Sequence, residues 1–119
     1  MKKEYDSAVK EYIKAIRLDN SYSEAYNDLA WLLATCSDKK YRDGLKAIVF
    51  AKKAIVLAPE SQTFNTLAAA YAEAGDFDMA IKNQEKAIHL LETEGDLEHL
   101  DVYEKQLESY KRDVPWTDK

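Results

Sequence analysis

At 119 residues, a third of them charged and only three glycines and two prolines, the chain is sized for one domain and shows no composition shift that marks a linker. A net charge of −5 argues against nucleic acid or an anionic membrane as the main partner. The longest apolar run, residues 29–34, is far too short to span a bilayer, and Met1-Lys2-Lys3-Glu4 leads into a charged amphipathic segment rather than a secretory leader. Cys36, the single cysteine, excludes an internal disulfide framework and fits a reducing, cytoplasmic compartment.

Taken in order, the periodicity predicts helices almost throughout. Residues 4–18 carry Val9, Tyr12, Ile13 and Ile16 on one stripe, with Lys10, Lys14 and Arg17 opposite. Asp19-Asn20-Ser21 ends that helix and offers caps for a second over 23–35, with Ala25, Tyr26, Leu29, Ala30 and Leu33 on its stripe. Residues 36–42 form a turn, and Asp43 is placed to cap a third helix over 44–57. That helix is apolar nearly all round, which predicts a central position covered from several sides. Pro59 stops it. From Phe64 to Ala87 the pattern is a helical hairpin. Phe64, Leu67, Ala68 and Tyr71 form one stripe, Gly75-Asp76 a tight turn, and Phe77, Ala80, Ile81, Gln84, Ala87, Ile88 and Leu91 a second stripe. Ala68, Ala80 and Ala87 leave room for close backbone approach. A last helix over 96–112 repeats Leu100, Tyr103, Leu107 and Tyr110, and puts Asp101, Glu104, Lys105, Glu108 and Lys111 on a polar outer side.

The chain resembles itself. Phe64-x2-Leu67-Ala68-x2-Tyr71 matches Tyr26-x2-Leu29-Ala30-x2-Leu33, and Ala80-x3-Gln84-x2-Ala87 matches Ala47-x3-Ala51-x2-Ala54. Ala8-x3-Tyr12-x2-Ala15 is the same pattern once more. Ala54 to Ala87 is 33 residues and Ala15 to Ala54 is 39, the excess lying mostly in the 36–42 turn. These residues resemble the tetratricopeptide repeat, and the wording of Trp31–Cys36 and Arg42–Gly44 looks like a bacterial sub-type with a lengthened turn. The likeness covers a half repeat (3–20), a repeat with the long turn (22–59) and a regular repeat (61–92), with 96–112 as a capping helix. Ala51 and Gln84 depart from it by replacing the usual aromatic, as does the missing proline after Ala87. The resemblance implies an all-α domain over 1–119, a right-handed superhelix of antiparallel helix pairs with about six helices. It also implies a concave groove, lined by the first helix of each pair, that binds a peptide or partner helix.

Off the core stripes, Glu24, Asn27, Trp31 and Thr35 share one face of the second helix, matched by Gln62, Asn65, Ala69 and Glu73 on the fourth. Continuing the register adds Asp101, Lys105 and Ser109. Trp31 opposite Ala69 is the expected apolar spot of the groove; packing of Trp31 into the 36–42 turn is the alternative. Asn27 and Asn65 are placed either to bond a partner's backbone or to face solvent. The second and fourth helices hold no Lys or Arg, which argues against capture of a C-terminal carboxylate and for a neutral or basic partner segment.

Nothing in the sequence arranges a nucleophile with a base, or histidines at ligand spacing, so the expectation is a non-catalytic protein-binding module with no metal and no cofactor. A competing expectation rests on the first helix, which matches the second half of a repeat whose first helix is missing. Val9 and Ile13 on it would then mediate homo-oligomerisation, or pair with a preceding part of a longer array.

Overall fold

Small side chains set the spacing of this fold. The computed structural model describes residues 2–118, with side chains from Glu4 onward; Met1 and Lys119, the ends of the expected domain, lie outside the described residues. Six α-helices follow one another: α1 (Lys2–Leu18), α2 (Ser23–Thr35), α3 (Gly44–Leu57), α4 (Ser61–Glu73), α5 (Phe77–Glu94) and α6 (Leu100–Lys111). A 3-10 turn at Lys39–Tyr41 joins α2 to α3, and no strand occurs among the described residues. Among the described residues no helix is long and apolar enough to cross a membrane.

The helix ends follow local chemistry. Asp43 accepts from the Lys46 N–H and caps α3 as the sequence leads one to expect, and Asp76 accepts from the Met79 N–H and caps α5. Gly75 has φ 87°, which an L side chain rarely adopts, and the turn closes with Gly75 N–H donating to Ala72 and Asp76 N–H to Tyr71. Asp19 does not cap α2: its carboxylate is taken by the Ser21 N–H and hydroxyl, and the N-cap position falls to Tyr22. α6 begins at Leu100, not Asp96. Gly95 (φ 75°) ends α5, and the Asp96 carboxylate closes a turn on His99 before the next helix can start.

α3 packs on α2 and α4, α2 also on α4, α4 on α5, α5 on α6, and α1 on α2. Alanines carry these contacts. Ala34, Ala47, Ala69 and Ala70 form one buried cluster, Ala30, Ala51 and Leu67 a second, and Ala68, Ala72, Ala80 and Tyr110 a third. A Cβ on Gly44 would stand 2.5 Å from the Ala74 backbone nitrogen, so the start of α3 meets the end of α4 backbone to backbone. The backbones touch where nothing projects.

This spacing overturns one expectation. α3 is not central: it buries Ala47, Ala51 and Ala54 and turns Leu45, Val49 and Val56 to solvent, Val56 being 78% exposed. The small residues face inward because close approach demands them, leaving the bulkier ones outside. Val56→Lys is accordingly expected to change stability by no more than about 0.5 kcal/mol in a thermal melt. At the other end of the fold, Gln84 explains its departure from the aromatic pattern. Fully buried, its Nε2 donates to the Tyr103 carbonyl at 2.9 Å and to Gln106 Oε1 at 3.1 Å, tying α5 to α6.

Candidate functional site

The faces of α2 and α4 left over by this packing meet across a groove of about 470 Å³ that α6 closes on its far side. Asn27, Asp28 and Trp31 line it from α2, and Ser61, Gln62, Asn65 and Thr66 from α4. Glu94, Asp96, His99 and Tyr103 complete it from the end of α5, the connecting turn and α6. Glu24 borders an adjoining recess that shares Asn27, Asp28 and Gln62 with the groove. Five of the residues expected there are thus at or beside one concavity: Glu24, Asn27, Trp31, Gln62 and Asn65.

Four others are placed differently. Ala69 is fully buried in the cluster with Ala34 and Ala47, with Trp31 packed over it, so it is core rather than an open floor. Thr35 is buried too; its hydroxyl donates to the Trp31 carbonyl at 2.7 Å. Glu73 sits at the far end of α4, where its carboxylate stands 3.4 Å from Arg42 Nε; Arg42 also donates to the Cys36 carbonyl at 2.8 Å. Lys105 is on the outer side of α6, paired with Asp101 at 3.2 Å beside Ser109 and Trp116, and faces a different recess. The register continued into α6 points outward because that helix buries Tyr103, Gln106 and Tyr110 on its opposite side.

Trp31 lines the groove over Ala69, as expected of it, and is also held from outside the groove. Its indole N–H donates to the Asp118 carboxylate at 2.6 Å, while Asp118 N–H donates to the Thr35 carbonyl at 2.7 Å. The segment after α6 therefore returns along the fold, with Trp116 packed on the Ala68–Ala72–Ala80–Tyr110 cluster and Asp118 fastened to the end of α2. One end of the α2–α4 face is covered by the chain's own tail; the other end is open. The long turn packs instead against α1 through Tyr41: its ring lies 5.4 Å from Tyr5, and its hydroxyl donates to Asp6 at 2.6 Å, which pushes the phenol up to about 12.

A comparison with protein-family models, with curated proteins and with solved structures finds no match. Asn27 and Asn65 are buried, 5% and 7% exposed, and the Oδ1 of each has no hydrogen-bond partner among the described residues. Such atoms are uncommon, because a buried acceptor without a donor costs about 1–3 kcal/mol. Asp28 was not singled out from the sequence, although its position four residues after Glu24 and three before Trp31 puts it on the same face. Burial and the Glu24 carboxylate push its carboxyl above the usual range.

At the rim, His99 Nδ1 lies 2.9 Å from Asp96 Oδ2. That hydrogen bond raises the imidazole's pKa and lowers the carboxyl's. The pair is at full strength above the Asp96 titration and below that of His99, weakening on either side. Asp96→Asn is expected to move the His99 titration, followed by proton NMR, back toward about 6.5. Among the described residues no group of three or more His, Cys, Asp or Glu side chains is arranged to hold a metal ion.

Proposed function

We propose that the chain is a non-catalytic protein-binding module of stacked, tetratricopeptide-like helix pairs, and that the α2–α4–α6 groove receives a segment of a partner protein. The observation that carries this reading is the asparagine pair. Asn27 and Asn65 occupy matching positions in helices of matching pattern, line one groove, and each keeps a buried Oδ1 without a donor. An extended peptide supplies backbone N–H groups that would satisfy both oxygens once the two amides turn toward the groove. The test is peptide selection against the wild-type domain, followed by affinity measurement on the Asn27→Ala/Asn65→Ala double variant. Selected peptides should bind the double variant about tenfold or more weakly, since each lost hydrogen bond is worth about 0.5–1.5 kcal/mol. Undiminished affinity in a folded double variant would place the binding surface elsewhere.

A second reading, self-assembly through α1, is favoured by the packing of that helix on α2 and by exposed Ile13 and Leu18. Val9, the other residue expected to take part, is half-buried and lines the cleft that α1 forms with Leu33 and Tyr41. Light scattering at two concentrations separates the readings: a mass rising toward twice the monomer supports assembly, and a constant monomer mass leaves it without support.

A further inference from the structure

Every unmet demand in the open half of the groove is for a hydrogen-bond donor or a positive charge. Asp28, Glu60, Glu94 and Asp96 line it, and no Lys or Arg does among the described residues. Glu94 accepts from Ser61, and Asp96 holds His99. Asp28 makes no ion pair among the described residues, although its burial and the nearby Glu24 penalise its negative charge. The two buried asparagine oxygens in the same groove also lack a donor among the described residues. An acidic or acceptor-rich segment would meet like charge here and leave those oxygens unsatisfied.

We infer that the groove is built for a partner segment bearing a lysine or arginine, whose cationic head lies against Asp28 while Asn27 and Asn65 accept from its N–H groups. This rests on the groove reading above and adds the sign of the partner. Asp28 supplies the charge that distinguishes a basic side chain from a neutral one, and the asparagines hold the chain that carries it. Glu60 and Glu94 are placed to draw the same charge toward the site at longer range.

The experiment uses three fluorescein-labelled peptides of one length, alternating alanine with lysine, serine or glutamate, titrated by anisotropy into the 119-residue chain. The lysine peptide should bind about tenfold more tightly than the serine peptide, and the glutamate peptide more weakly than either. Asp28→Asn should remove most of the lysine preference, Asn65→Ala should weaken lysine and serine peptides alike, and Glu85→Gln, on the exposed side of α5, should change neither. A helical circular dichroism signal in each variant confirms that loss of binding is not loss of fold.

Equal affinity for lysine and serine peptides, still reduced by Asn65→Ala, would overturn the basic partner while keeping the groove. Lysine binding reduced equally by Asp28→Asn and Glu85→Gln would reveal general charge attraction and overturn it as well. Self-association abolished by Asp28→Asn would make a second copy the occupant, again overturning it. No binding by any peptide, with Asp28→Asn and Asn65→Ala inert, would remove both the inference and the groove reading.

Discussion

Trp116→Ala is expected to lower the unfolding free energy by about 2–3 kcal/mol, below the fully buried tryptophan range because the ring is only partly covered. The ring packs on Ala68, Ala72, Ala80 and Tyr110, joining α4, α5 and α6 under the returning tail. Without it the tail has no apolar anchor, and the bonds from Asp118 to Trp31 and Thr35 must hold an otherwise free segment in place. They will not, because a few hydrogen bonds do not offset the entropy of ordering several residues. The variant keeps a single tryptophan, Trp31, so its emission should shift to the red as Asp118 leaves the indole. Asp118→Ala, which removes the carboxylate but leaves the ring, should cost under about 1.5 kcal/mol. An unchanged urea midpoint for Trp116→Ala would mean that the tail does not contribute to the fold.

Ala80→Leu is the second large effect, a loss of about 1–3 kcal/mol through overpacking. Ala80 is fully buried beside Ala68, Ala72 and Tyr110, where α4, α5 and α6 converge, and three added carbons have no void to enter. Either α5 moves outward, breaking the Gln84 bonds to Tyr103 and Gln106, or the leucine takes a strained rotamer. Ala68→Leu should behave alike. Ala74→Leu is the control, since Ala74 is exposed at the end of α4, and it should melt with the wild type.

Much of this was legible from residue order. The bounds of α2 and α3, the Asp43 cap and the Gly75 turn follow from side-chain chemistry within four residues, the range over which caps and helical stripes act. Which face of α3 points inward was not. Its apolar surplus suggested a centre, but close helix approach selects alanines, and the valines stay outside. The α2–α4 part of the site was half legible. Asn27, Trp31, Gln62 and Asn65 share the groove, and Asp28 could have been found from its spacing on the same face.

Lys105 and Glu73 were misplaced for a different reason. Their positions depend on which face α6 buries and on Arg42, features that a repeat register carried past a glycine turn does not contain. The bond between Trp31 and Asp118 joins residues 87 apart, and no local pattern encodes it. Long-range closure of this kind is decided by the whole packed fold.

The central claim is that partners enter at the paired asparagines, and proton–nitrogen correlation spectra of the chain during titration with the lysine peptide test it most directly. The side-chain amides of Asn27 and Asn65, with the Asp28 and Gln62 backbone signals, should show the largest shifts, while Asn20 and the outer face of α3 stay still. Shifts concentrated at Val49 and Val56, or along α1 at Ile13, with both asparagine amides unmoved, would contradict it.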